Sequence, residues 1–134
     1  MHNPLLLDII QYFVNNNLAE GDGIDCFRDF SPEEPDNVIV LYEYQGMPPS
    51  EYDDIDVVHR SVQVTVRDID PDNARAKALS LYNSLNVKEC SKRVDFTNER
   101  FAQVTLRQTP FKISMDENDR SIYGFNIGVT TTIY

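Results

Sequence analysis

With 134 residues, 41% of them hydrophobic, the chain can build one packed core and is too short for two. Its longest unbroken apolar run, Val38 to Tyr42, falls far short of the roughly 20 residues that cross a bilayer. The formal net charge of −10 is uneven, with 16 acidic and 3 basic side chains in residues 1–73 against 6 and 9 in residues 74–134, and so acidic a chain repels nucleic-acid phosphates over most of its surface.

The opening MHNP, followed by an apolar run that Asp8 and Gln11 interrupt, lacks the pattern of an export signal, so the protein is expected to stay where it is made. Asn3 can cap a first helix with Pro4 at its opening position, and Leu6, Ile9, Ile10, Phe13 and Val14 give it an apolar stripe up to about Asn17. Gly21 and Gly23 then release the chain into a short strand, Ile24 to Phe30, in which Ile24, Cys26, Arg28 and Phe30 share a face. The turn SPEEPDN leads to a more apolar strand, Val38 to Tyr44. Its aromatic end enters Gln45 to Asp56, QGMPPSEYDDID, which reads as a mobile loop because no apolar stripe holds it down.

Ser61 to Asn86 is the most informative stretch. Val62, Val64 and Val66 alternate with Gln63, Thr65 and Arg67, the period of a half-buried strand. Asp70 is placed to cap a helix that opens on Pro71, and Ala74, Ala78, Leu81 and Leu85 follow at helical spacing. Small residues come first and large ones last, so the helix can approach a sheet closely and fill the space where the two diverge, with Leu81 and Leu85 over Val62, Val64 and Val66.

Val94 to Phe96 reads as a short extended segment and Phe101 to Gln108 as a clearer strand, its Ala102, Val104 and Leu106 alternating with Gln103, Thr105 and Arg107. Pro110 breaks that run. Phe111 to Met115 and Ser121 to Ile133 flank the polar segment Asp116 to Arg120 as a hairpin, and Phe125, Ile127, Val129, Thr131 and Ile133 line one side of the last strand. The order describes an α+β domain spanning residues 1–134, two helices covering one sheet face. The other face, with Gln63, Thr65, Arg67, Gln103, Thr105 and Arg107, suits solvent or a hydrated protein interface.

Few residues are arranged for chemistry. Asp68, Asp70 and Asp72 match the opening spacing of a calcium loop, but Asn73 stands where the turn needs Gly and Leu79 where the bidentate Glu belongs, so helix capping by Asp70 and first-turn dipole complementarity at Asp72 are the better explanation. Glu51, Asp53, Asp54 and Asp56 could in principle act as paired carboxylates, yet a loop with Pro48 and Pro49 suits a partner contact better than a rigid catalytic site. His2 and His59 are the only imidazoles, without HxxxH spacing, a Cys/His cluster or a glycine-rich phosphate loop. Cys26 and Cys90 lack CxxC spacing and read as buried thiols in a reducing compartment. Lys88, Lys92, Arg93 and Arg100, with Phe96 and Phe101 among them, form a basic cluster whose few cations do not outweigh the global charge for nucleic-acid binding. The −13/+3 split between the halves suits a head-to-tail contact between copies, unless the halves interleave and neutralise one another within one monomer.

The first helix, FRDFSPEEPDNVIVLYEY, the VQVTVRDIDPDNARAKALSLYNSLN unit and the closing DRSIYGFNIGVTTTIY together resemble the minor capsid or tail-terminator proteins of long-tailed bacteriophages over nearly the whole chain. The resemblance implies two helices packed on a mixed, largely antiparallel sheet and a structural assembly protein without catalytic residues, cofactor or metal. It further implies a hexameric ring that caps the tail tube, ends its polymerisation and joins it to the head completion or connector protein, with DNA passing through the lumen without specific binding. Such a protein would be assembled in the bacterial host cytoplasm and reside at the head–tail interface of the virion, away from membranes. The subunit or tail-tube contacts are then expected at Glu51, Tyr52, Asp53, Asp54, Asp56, Lys88, Lys92 and Arg93. The competing reading is a small α+β ligand-binding or regulatory module that holds its ligand on the polar sheet face.

Overall fold

The computed structural model describes residues 5–44, 57–85, 93–95 and 101–132. Helix α1 (Leu5–Asn15) buries Leu5, Leu6, Ile9, Ile10 and Phe13 and ends two residues before the expected Asn17. Asn17 instead takes a left-handed conformation (φ 61°), which lets the Leu18 amide donate to Phe13 O at 2.9 Å and the Asn17 amide to Val14 O at 3.0 Å, the paired bonds that close a helix C-terminus. Asn3 and Pro4 lie outside the described residues.

Strand β1 (Cys26–Arg28) is shorter than the expected Ile24–Phe30. The Gly21 carbonyl accepts from the amides of Ile24, Asp25 and Cys26, so a turn occupies the start of the predicted strand, and Asp29 ends it with φ 56°. Only Cys26 of the predicted apolar face is therefore buried, while Ile24 and Phe30 are exposed. Strands β2 (Val38–Tyr44) and β3 (Val57–Asp68) follow, then helix α2 (Pro71–Leu85). Asp70 caps α2 as expected, its carboxylate accepting from the Asp72 amide at 3.0 Å. Beyond it come β4 (Arg93–Asp95), β5 (Phe101–Leu106), β6 (Phe111–Met115) and β7 (Ser121–Thr132), with the expected hairpin between the last two.

The strands form one sheet in the order β1-β2-β3-β7-β5-β4, with β6 also on β7. β1 runs parallel to β2 and every other pair is antiparallel, so the α+β fold is a mixed, largely antiparallel sheet under two helices. β7 pairs with β3 along all twelve residues, Val57–Asp68 against Ser121–Thr132, and this pair is the spine of the molecule. Along its other edge β7 takes β5 on one half and β6 on the other.

Both helices lie on one face. α2 crosses β3 and β7 while α1 lies over β1 and β2, and Tyr12 Oη of α1 donates to Ser84 O of α2 at 2.6 Å. Ala74, Ala78, Leu81 and Leu85 are buried in one cluster with Val62, Val64, Val66, Phe125, Ile127 and Val129, the docking expected from the two apolar periods. Tyr82 adds an edge-on contact to Phe125, with ring centroids 5.6 Å apart.

The opposite face departs from expectation. Thr65 and Arg67 are only 6% and 4% exposed: Thr65 Oγ1 donates to Val40 O of β2 at 2.8 Å, and residues 31–36 fold back over Arg67. The halves of the chain do not interleave in the sheet, since β1, β2 and β3 stand together on one side and β4 to β7 on the other, but they meet at β3–β7, and Arg120 pairs with Asp36 and Glu33 across the charge boundary.

Candidate assembly surface

The helix-free face is built around two buried arginines. Arg67, on β3, donates from Nε to Asp36 O (3.2 Å), from Nη1 to Ser31 Oγ (3.0 Å) and from Nη2 to Pro35 O (2.7 Å). Arg120, the residue before β7, donates from Nη1 to Glu33 O (2.6 Å) and Asp36 Oδ1 (3.3 Å) and from Nε to Asp116 Oδ2 (2.7 Å). The carbonyls of a loop that has no ladder of its own are thus satisfied by guanidinium forks. Burial, and then the neighbouring Arg120, push the Arg67 guanidinium toward easier deprotonation. Burial works the same way on Arg120, but Asp116, Asp36 and Glu33 outweigh it and its affinity for the proton rises.

Two glycines on β7 leave space for side chains from the adjacent strands. A Cβ at Gly124 would stand 2.5 Å from Val64 O and 2.9 Å from Ile113 Cδ1, so Ile113 lies flat over the sheet only because no side chain is there. At Gly128 a Cβ would meet the Arg107 guanidinium at 3.1 Å, and that side chain passes over the glycine toward Tyr44 Oη at 3.4 Å. Between β2, β3, Ile113 and Ser114 remains a hollow of about 190 Å³ floored by Val40, Tyr42, Gln63 and Thr65. It is smaller than the roughly 300 Å³ at which small-molecule pockets begin, so this face is better suited to a macromolecular contact than to a ligand. A larger cleft of about 570 Å³ opens elsewhere, between Glu20, Asp25, Arg67, Asp68 and Lys77, where the Lys77 ammonium donates to Leu18 O.

Strand β6 is exposed at every residue, and a bulge between Lys112 and Ser114 interrupts its pairing with β7. The alternation of Phe111, Ile113 and Met115 after Pro110 marks β6 in the sequence, but the bulge breaks it, pairing Phe111 with Gly124 on one face and Met115 with Ser121 on the other, while strand-interior Gly124 and Gly128 are the signal for close packing.

Of the residues expected at the interface, Glu51, Tyr52, Asp53, Asp54, Asp56, Lys88 and Lys92 lie outside the described residues, as do Cys90 and the loop 45–56. Arg93 opens β4, where its backbone pairs with Gln103. Cys26 is buried as expected; burial and then the adjacent Asp25 carboxylate push its thiol up, away from a reactive thiolate. The Asp70 carboxylate accepts the Asp72 amide at 3.0 Å, the capping role the sequence favours over calcium, and Asp68 accepts the Asp70 amide at 2.9 Å in the turn before the helix. His59 Nδ1 lies 2.9 Å from Thr130 Oγ1 across the β3–β7 pair. No described helix is long and apolar enough to cross a membrane.

The model of a protein family described as bacteriophage tail terminator protein matches residues 13–133, from the last turn of α1 to the end of β7. A comparison with curated proteins finds no match. With the whole of its sheet and of α2 inside that match, the chain belongs to the bacteriophage tail terminator family, structural components of the virion's tail.

Proposed function

We propose that this protein assembles into a hexameric ring that caps the phage tail tube, ends its polymerisation and joins the tail to the head completion or connector protein. The observation that carries this reading is the extent of the family match, which takes in β1 to β7 and the whole of α2. In this reading the ring is assembled in the host cytoplasm and works without catalysis or cofactor. Glu51, Tyr52, Asp53, Asp54 and Asp56 meet a neighbouring subunit or the tube, and so do Lys88, Lys92 and Arg93. The chain's acidity suits a lumen through which DNA slides without sticking.

The test is polymerisation of the cognate tail tube protein with and without this chain, followed by negative-stain microscopy. Capping predicts tubes of bounded length with added density at one end, and longer tubes when the protein is left out. Identical length distributions and bare tube ends overturn it. Reversing Lys92 and Arg93 to Glu should weaken self-association and its salt dependence together.

A further inference from the structure

The strap of residues 31–36 hangs from side chains. Among the described residues it pairs with no strand, and its bonds to the rest of the fold come from Arg67, from Arg120 and from Asn118, whose Nδ2 donates to Glu33 Oε2 at 3.3 Å. Val38 and Val40 of β2 lie on the same face. The register pairs them with Arg67 and Thr65, away from the helices, and both are buried although neither is in the core under α1 and α2.

Arg67 and Arg120, each 4% exposed, repel one another. The carboxylates that offset them are Asp116 on the β6–β7 turn and Glu33 and Asp36 on the strap. The Glu33 and Asp36 side chains are 86% and 54% exposed, whereas that of Asp116 is 20% exposed, so its charge is the one water screens least. Asp116 nevertheless holds no strap residue: its carboxylate accepts from the Asn118 amide, the Arg120 amide and Arg120 Nε, all within its own turn.

We propose that the strap, Arg67, Arg120 and the β6–β7 turn form a clasp that opens as one unit while the β3–β7 pair stays formed, with Asp116 as its latch. Without the Asp116 charge, Arg120 loses the contact that aims its other nitrogens at the strap, and two buried guanidiniums face each other with only exposed carboxylates to offset them. An uncompensated buried charge is costly, and a strap without a ladder is the part of the fold that yields most easily, so residues 31–36 release into water. Opening uncovers Val38 and Val40 and joins them to Tyr42, turning the hollow over Val40, Tyr42, Gln63 and Thr65 into a longer apolar strip along β2.

The experiment compares the wild-type chain with Asp116→Asn, Ser31→Ala and Leu81→Ala. The clasp is followed by the water exchange of the Arg67 and Arg120 Nε protons in heteronuclear NMR. It is followed independently by the cut that a glutamate-specific protease makes after Glu33, located by mass spectrometry. Asp116→Asn should speed both the Arg67 exchange and the Glu33 cut by about tenfold or more, although Asp116 bonds to neither residue. Ser31→Ala removes a partner of Arg67 and not of Arg120, yet it should speed the Arg120 exchange, because coupling acts in both directions. Leu81→Ala weakens the core without touching the clasp and should leave the Arg67 exchange and the Glu33 cut within about twofold of the wild type. If Asp116→Asn changes Arg120 alone, the strap and the turn are not one unit and the clasp is overturned. If Leu81→Ala speeds the Arg67 exchange as much as Asp116→Asn does, the strap opens only with the whole molecule, which overturns it equally. Should Asp116→Asn fail to fold, Ser31→Ala decides, and an unchanged Arg120 exchange there overturns the coupling.

Discussion

Arg120 Nε stands 2.7 Å from Asp116 Oδ2, four residues back across the β6–β7 turn. The same carboxylate accepts the Arg120 amide at 2.9 Å and the Asn118 amide at 3.0 Å, so one side chain closes the hairpin and neutralises the cation that holds the 29–37 segment. Burial alone would raise the Asp116 carboxyl, but these donors outweigh it and hold it below its usual range.

The folded carboxyl therefore holds its proton less tightly than the unfolded one, whose value is about 3.9. Stability from this pair is fully present above the unfolded value and is lost as pH falls through the folded one. Asp116→Asn should lower stability by about 1.5–3 kcal/mol at neutral pH and flatten its decline below about pH 4. Denaturant midpoints of both proteins across pH 2–7 check this (a range set by the carboxyl values above), and parallel acid limbs would show that Asp116 is not the group responsible.

Leu81 is fully buried between α2 and the sheet, so Leu81→Ala should cost about 2–5 kcal/mol through lost transfer energy and a residual cavity. Arg75 faces outward on α2 but reaches back, its guanidinium carbon 5.4 Å from the Tyr123 ring centroid and Nη2 3.1 Å from Tyr123 Oη. Arg75→Ala should accordingly cost about 0.5–1 kcal/mol. Urea midpoints compare the two, and equal losses would mean that α2 does not dock by its leucines.

Gly124 and Gly128 lie on the same face of β7 with different neighbours. A methyl at Gly124 runs into Val64 O, which is backbone and cannot step aside, whereas at Gly128 it meets the end of the Arg107 side chain. Gly124→Ala is expected to destabilise by about 1–3 kcal/mol or more, and Gly128→Ala by less than about 1. Thermal melts of the two variants would contradict this packing if Gly128→Ala proved the worse.

Cys26 is buried, with its thiol pushed up by that burial, so iodoacetamide should modify it only as the protein opens. Peptide mapping after alkylation at increasing urea should place Cys26 labelling on the unfolding curve. Rapid labelling of the native protein would show that the β1 edge opens by itself.

What the sequence by itself determined is local or periodic. Asp70 and Pro71 mark the start of α2 because capping and a missing amide need only neighbouring residues, and Ala74 to Leu85 display their buried stripe at the helical period. The valines of β3 and the last hairpin were legible for the same reason, alternation on one side and a polar turn on the other. Only the tertiary structure decided that Arg67 is buried, since that depends on a loop some thirty residues earlier whose carbonyls the guanidinium satisfies. It likewise decided that β1 runs parallel to β2, that β5 and β6 share one edge of β7, and that β3 and β7 are the pair at which the two halves of the chain meet. Side-chain period tells which face of a strand is apolar, but which strand lies beside it is set by long-range pairing that no local pattern encodes.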